Sequence, residues 1–127
     1  SLELYRDVAR CLAPGGALVV QATSPLFARG AYWSVVETLR AAGLEPLPYH
    51  GFVPSFGEWG FVLAAHEPPP VPRLRAPEPL TFLTPELLAQ SFAFPADMAR
   101  VEAPINRLDN QALVSRYVEE WSRWDAW

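Results

Sequence analysis

Apolar residues recur at helical spacing over residues 2–12, where Leu4, Val8, Cys11 and Leu12 share a face with Tyr5 beside them. Pro14-Gly15-Gly16 ends that helix and turns the chain. Residues 17–22 (ALVVQA) are short, β-branched and apolar at both parities, the pattern of a buried central strand. Ser24-Pro25 then predicts a helix start, with Ser24 as cap and Pro25 in the first turn. This helix should run to about Ala42, burying Phe27, Tyr32, Val35, Val36 and Leu39 and stopping at Gly43. Residues 44–53 read as a strand interrupted by prolines, hence near a sheet edge. A loop over residues 54–60 leads into a clear strand, Phe61–Ala65. With no helix between them, these two strands should form an antiparallel pair.

Six prolines between residues 67 and 79 predict a stiff, extended connector. Its Pro-Pro-Pro run reads as part of that connector rather than as a peptide ligand. After it, Thr84-Pro85-Glu86 opens a short helix with Thr84 as cap. The last helix should span about Asp109–Trp124, with an apolar face of Leu113, Val114, Tyr117, Val118 and Trp121. Asn106 and Asp109 are the expected caps of that helix, and Asp97, Arg107 and Asp109 could pair on the surface. Three segments result: an α/β unit over residues 1–66, the connector over 67–79, and a helical extension over 80–127. In fold class the first elements are part of a doubly wound α/β sheet. A final antiparallel strand after such a series is the usual end of the Rossmann-like S-adenosylmethionine-dependent methyltransferase fold. The spatial order should then be first strand, third strand, second strand.

The 127 residues carry a formal net charge of −4, and all the basic residues are arginines scattered along the chain. This argues against a nucleic-acid-binding surface, which would be basic and clustered. The single cysteine, Cys11, precludes an internal disulfide, and its helical position predicts a small buried hydrophobe. No apolar run reaches the ~18 residues that span a bilayer. The chain opens inside a helical pattern without an initiator Met, as expected of part of a longer protein. His50 and His66 stand apart from any Cys or carboxylate at metal-ligand spacing, so no metal site is expected. Ser24, Ser34 and Ser55 lack the G-x-S-x-G setting of a serine hydrolase.

Several stretches resemble one family. LYRDVARCLAPGGALVVQATSP resembles the helix–strand unit that follows the catalytic loop of polyamine aminopropyltransferases, the spermidine synthases. VPSFGEWGFVLAA resembles that family's substrate loop and last strand. FLTPELLAQSFAFPADM and NRLDNQ look like the C-terminal extension of bacterial members that also carry an N-terminal membrane domain. The resemblance covers nearly the whole chain. It implies transfer of an aminopropyl group from decarboxylated S-adenosylmethionine, as co-substrate, to an amine such as putrescine. It also implies a location on the cytoplasmic side, with membrane attachment only through a preceding domain. The partners implied are a small-molecule polyamine and either the remainder of the same protein or a second copy of it.

Gln21 is the leading candidate for an amine contact. It stands at the carboxyl end of a strand, where open α/β sheets bind ligands. A Gln in an apolar strand also requires a hydrogen-bond partner, and the resembled family has an amine-contacting Gln at the matching position. Phe56 aligns with a tyrosine whose hydroxyl meets the amine in soluble members. Here that oxygen is missing and the loop is two residues shorter, leaving a ring face for a methylene or a cation. Glu58 is the candidate that restores a polar contact. The alternative is that Phe56 and Trp59 pack the hairpin and Glu58 is solvated. No catalytic residue and no cofactor-binding residue is assigned, because the glycine-rich donor turn, the ribose-holding acid and the Asp-rich catalytic loop do not occur in this sequence. The chain alone is therefore expected to be inactive. Its strand at 17–22, lacking an inner neighbour, should make it marginally stable, dimeric or sticky. Two other readings stay open: a non-catalytic subunit or pseudoenzyme paired with a donor-binding chain, and the tail of a small-molecule methyltransferase.

Overall fold

A computed structural model describes residues 1–75, 78 and 80–124. Helix α1 spans Leu2–Cys11, with the Ser1 hydroxyl accepting from the Leu4 N–H and Glu3 in the first turn. Its inward stripe is Leu2 and Ala9, with Tyr5 and Leu12 partly buried beside them, packed against helix α2. The expected stripe is therefore rotated. Leu4 is 56% exposed and Cys11 is exposed rather than buried. Two apolar stripes compete on this helix, and the one holding Leu2 and Tyr5 offers the larger side chains to the core.

Strands β1 (Ala17–Gln21), β2 (Glu45–Val53) and β3 (Gly57–Ala65) form a mixed α/β unit with helix α2 (Arg29–Ala41). The sheet order is β1-β3-β2, with β3 antiparallel to both neighbours. β1 and β2 consequently run parallel to each other, the spatial order expected. Pro46 and Pro48 lie in β2, which among the described residues has β3 as its one partner strand, so the missing N–H groups cost no inner ladder. Gly57 starts β3 at φ +74°, a backbone angle glycine adopts without strain. β3 begins earlier than the expected Phe61, because the turn needs only residues 54–56. β1 differs from expectation in burial. Its residues alternate exposed and half-buried, since β3 is its one partner among the described residues and a single sheet face is covered.

Helix α2 covers that face. Tyr32, Val36 and Leu39 are fully buried against Val62, Ala64 and Leu44. Gly60 makes room for this packing: a Cβ there would lie 2.3 Å from the Tyr32 ring and 2.8 Å from the Thr23 carbonyl oxygen. Ser24 does cap a turn, accepting from the Leu26 and Phe27 N–H groups at 3.2 Å, but the regular helix begins only at Arg29. Its first residue is preceded by Ala28, which offers no capping side chain. The cap arrives from a distant helix, as described below.

After β3, residues 67–75 have no regular structure; residues 76, 77 and 79 of the expected connector lie outside the described residues. Helix α3 (Pro85–Gln90) starts at Thr84, whose hydroxyl accepts from the Leu87 N–H at 3.2 Å. The chain then passes the outer side of β2, where the His50 N–H donates to the Ser91 carbonyl. Beyond it Phe94 packs on Tyr32 and Trp33, and the Trp33 indole donates to the Met98 carbonyl at 3.0 Å. The extension thus wraps the sheet like a strap. Helix α4 (Ala112–Ser122) completes it against α2. The Asn106 side chain accepts from the Leu113 N–H, as a cap should, whereas Asn110 rather than Asp109 serves Ala112. The α4 face is also only half as expected. Val114 and Val118 are about 60% exposed, while Leu113 and Trp121 turn inward. Arg100 pairs with Glu37.

Candidate functional site

The carboxyl end of β1 meets the turn of the β2–β3 hairpin. Gln21 stands opposite Phe61, and the β1 ladder continues through the Ala22 N–H to Gly60 O and the Gly60 N–H to Thr23 O. Phe61 stands opposite Tyr49 on its other side, and the two rings stack with centroids 5.4 Å apart. Gln21, Phe61 and Tyr49 therefore form a row across the face that α2 leaves open. Val19 and Leu63 form the next row. Burial pushes the Tyr49 hydroxyl above its ordinary ionisation range.

Above these rows lies a cavity of about 580 Å³, closed on its far side by α3 and residues 82–92. Its lining is mainly apolar, with Val19, Phe61, Leu63, Leu87 and Phe92 prominent, and its polar members include His50 and Glu58. Of the three residues expected at a site, only Glu58 lines this cavity. Gln21 is exposed, two positions beyond Val19 on the same face, just outside the lining. Phe56 is 56% exposed at the hairpin turn and lies against the Trp59 ring at 5.1 Å. The Trp59 indole N–H is buried and meets no acceptor among the described residues. A donor in that state costs ~1–3 kcal/mol unless something else meets it.

Glu58 is not simply solvated. One of its oxygens is bonded to His50 Nδ1, while His50 Nε2 faces the Ala93 carbonyl oxygen at 2.7 Å. His50 is thus far from isolated. The sequence contained the signal: once the turn at residues 54–56 sets the register, His50 opposes Gly60 and Phe52 opposes Glu58, which makes His50 and Glu58 diagonal neighbours on one face. Among the described residues no cluster of three His, Cys, Asp or Glu side chains is placed to hold a metal ion.

The loop after Gln21 is fixed from the opposite direction. Glu120 of α4 accepts from the Gly30 and Ala31 N–H groups at 2.9 and 3.0 Å, capping α2. Trp121 donates to the Thr23 hydroxyl at 3.4 Å and Trp124 to the Phe27 carbonyl at 3.1 Å. Phe27 is held between their rings, with centroids 5.3 and 5.0 Å away. Sequence reasoning treated α4 as packing on an unspecified surface. Its contact with residues 23–31 carries no local signal, because the partners are about 90 residues apart.

No family model matches the chain. Curated relatives do. The chain is 46% identical over 119 residues to a polyamine aminopropyltransferase of Leptospira interrogans, which covers 94% of this chain and 24% of that protein. It is 45% identical over 126 residues to polyamine aminopropyltransferase 2 of Ralstonia nicotianae, covering 95% of this chain and 24% of that protein. With a polyamine aminopropyltransferase of Mycobacterium tuberculosis the identity is 39% over 123 residues, 95% of this chain and 24% of the relative. The chain spans about a quarter of the length of these relatives. No helix among the described residues is long and apolar enough to cross a membrane. By sequence the chain belongs to the polyamine aminopropyltransferase family, corresponding to the C-terminal portion of its members.

Proposed function

We propose that this chain supplies the amine-acceptor side of an aminopropyltransferase, as the terminal part of a Rossmann-like sheet whose donor-binding part lies elsewhere. In the reaction a neutral amine nitrogen attacks the aminopropyl carbon beside the sulfonium of decarboxylated S-adenosylmethionine. A C–N bond forms, the C–S bond breaks, and its electron pair stays on sulfur as a neutral thioether. The new ammonium then loses a proton to solvent or a base. Holding the nitrogen in line with that carbon is the task of this side of the site. Gln21 offers an amide oxygen, Glu58 a carboxylate oxygen for the far ammonium of a diamine, and Phe56 a ring face for its methylenes.

The observation that carries this reading is the sheet order β1-β3-β2. It places Gln21, at the carboxyl end of β1, at the same end of the sheet as the hairpin turn that holds Phe56, with Glu58 just after that turn on the opposite face of β3. Such strand ends are where ligands bind in open α/β sheets. The test is a chimera in which this chain replaces the matching stretch of the Leptospira relative. It should transfer aminopropyl groups to putrescine, and Gln21→Ala should raise the amine KM roughly tenfold, about one hydrogen bond to a charged group. The free 127-residue chain should show no turnover. A folded chimera whose amine KM ignores both Gln21→Ala and Glu58→Gln would refute the assignment.

A further inference from the structure

Resting on that reading of the acceptor side, we propose that His50 is a positioning residue for Glu58. Through His50, the C-terminal strap becomes a working wall of the amine site. Glu58 lies near a turn, on a strand end, where a carboxylate on a flexible stem would otherwise sample many rotamers and lose affinity for a cation. His50 removes that freedom. Its Nδ1 engages one Glu58 oxygen, and Glu58 is among the residues that line the cavity.

His50 is itself held by three contacts, two at its ring and one at its backbone. Nε2 meets the Ala93 carbonyl at 2.7 Å, the Phe94 ring lies 4.7 Å away by centroids, and the backbone N–H of His50 donates to Ser91. All three contacts come from the strap, over residues 91–94. The side chain is 13% exposed, so the ring has little room to swing. Each ring nitrogen faces an oxygen, a carboxylate at Nδ1 and a backbone carbonyl at Nε2. The chain Ala93 O, His50, Glu58 therefore runs from the extension to the cavity. Its form is that of a ligating side chain oriented by a partner that is oriented in turn. Residues 80–94 would thus belong to the site although none of them need touch the amine.

The experiment uses the labelled 127-residue chain and putrescine. In the absence of ligand, NMR should detect the His50 ring proton bonded to the Glu58 carboxylate, and His50→Ala should release that carboxylate to rotamer averaging. Titration with putrescine should give saturable shifts at Glu58, Trp59 and Gln21. His50→Ala should weaken binding roughly tenfold, the cost of one hydrogen bond to a charged group. His50→Gln, which retains a donor, should recover part of the loss. The combined His50→Ala and Glu58→Gln variant should bind no worse than Glu58→Gln alone, a coupling that general loss of packing would not produce. Melting curves of each variant confirm that folded protein is compared. If the ring and carboxylate are unpaired, or binding is unchanged in His50→Ala, His50 has no positioning role. If the pairing is present and putrescine shifts nothing, the acceptor reading itself fails.

Discussion

Replacing Glu120 with alanine removes the carboxylate that closes the amino end of α2 from α4, ninety residues away. Two bonds are lost, at 2.9 Å to the Gly30 N–H and 3.0 Å to the Ala31 N–H. Both residues are buried, and Ala31 is 0% exposed, so the freed donors have poor access to water. A hydrogen bond to a charged group contributes ~1.5–3 kcal/mol, and a carboxylate at a helix amino end a further ~0.3–1 kcal/mol. Glu120 is only partly buried and stands at the edge of a solvent-open cleft, so the two bonds do not sum in full. The expected loss is about 2–3 kcal/mol, a fall in Tm of roughly 5–15 °C for a chain of this size. Glu120→Gln keeps one acceptor but turns an NH2 group toward the other donor, and should lose about half as much. The neighbouring pair Glu119–Arg123 is surface-exposed, so Glu119→Ala should cost under ~0.5 kcal/mol. Thermal melts followed by circular dichroism compare all three. Equal melting temperatures for Glu120→Ala and Glu119→Ala would refute the cap.

Gly60→Ala should destabilise by roughly 2–3 kcal/mol, because the new methyl collides with the Tyr32 ring and the Thr23 carbonyl. Gly51→Ala, with nothing within 4 Å, should change stability by no more than ~0.5 kcal/mol in the same denaturant titration. The Tyr32 hydroxyl is bonded to the Phe61 carbonyl at 3.0 Å, and burial pushes its ionisation far above the ordinary value of 10.0. The unfolded chain therefore gives up this proton first, and stability present below pH 10 should decline as pH rises above it. Tyr32→Phe should flatten that decline, although Tyr5 and Tyr49, also raised by burial, keep part of it. Val19 is 55% exposed on β1, which among the described residues pairs along one edge. Sedimentation of the free chain should reveal concentration-dependent association, reduced by Val19→Lys.

What the sequence disclosed follows from how local each cause is. Prolines at 46 and 48, the adjacency of two strands and the glycine-bearing turn are local, so the hairpin and its edge position were legible, as was the Thr84 cap. Ser24 was recognised as a cap, but the start of α2 was misplaced because the helix depends on Glu120 for its amino end. For α1 and α4 the periodicity was correct and the inward face was not. Each helix carries more apolar positions than its neighbour can cover, and the choice is made by Tyr5 in one case and by Glu120 and Trp121 in the other. As site candidates, Gln21, Phe56 and Glu58 follow from residue type and resemblance, and of these Glu58 lines the cavity. The partnership of His50 and Glu58 required the register, and the role of Ala93 required the path of the strap.

That path also sets the polarity of the sheet. The strap bonds to the outer side of β2 at His50, whereas among the described residues no strand pairs with the outer edge of β1. Growth by strand addition is thereby confined to one flank. A strand that extends this sheet, whether from another part of the same protein or from a second copy, is then directed to β1.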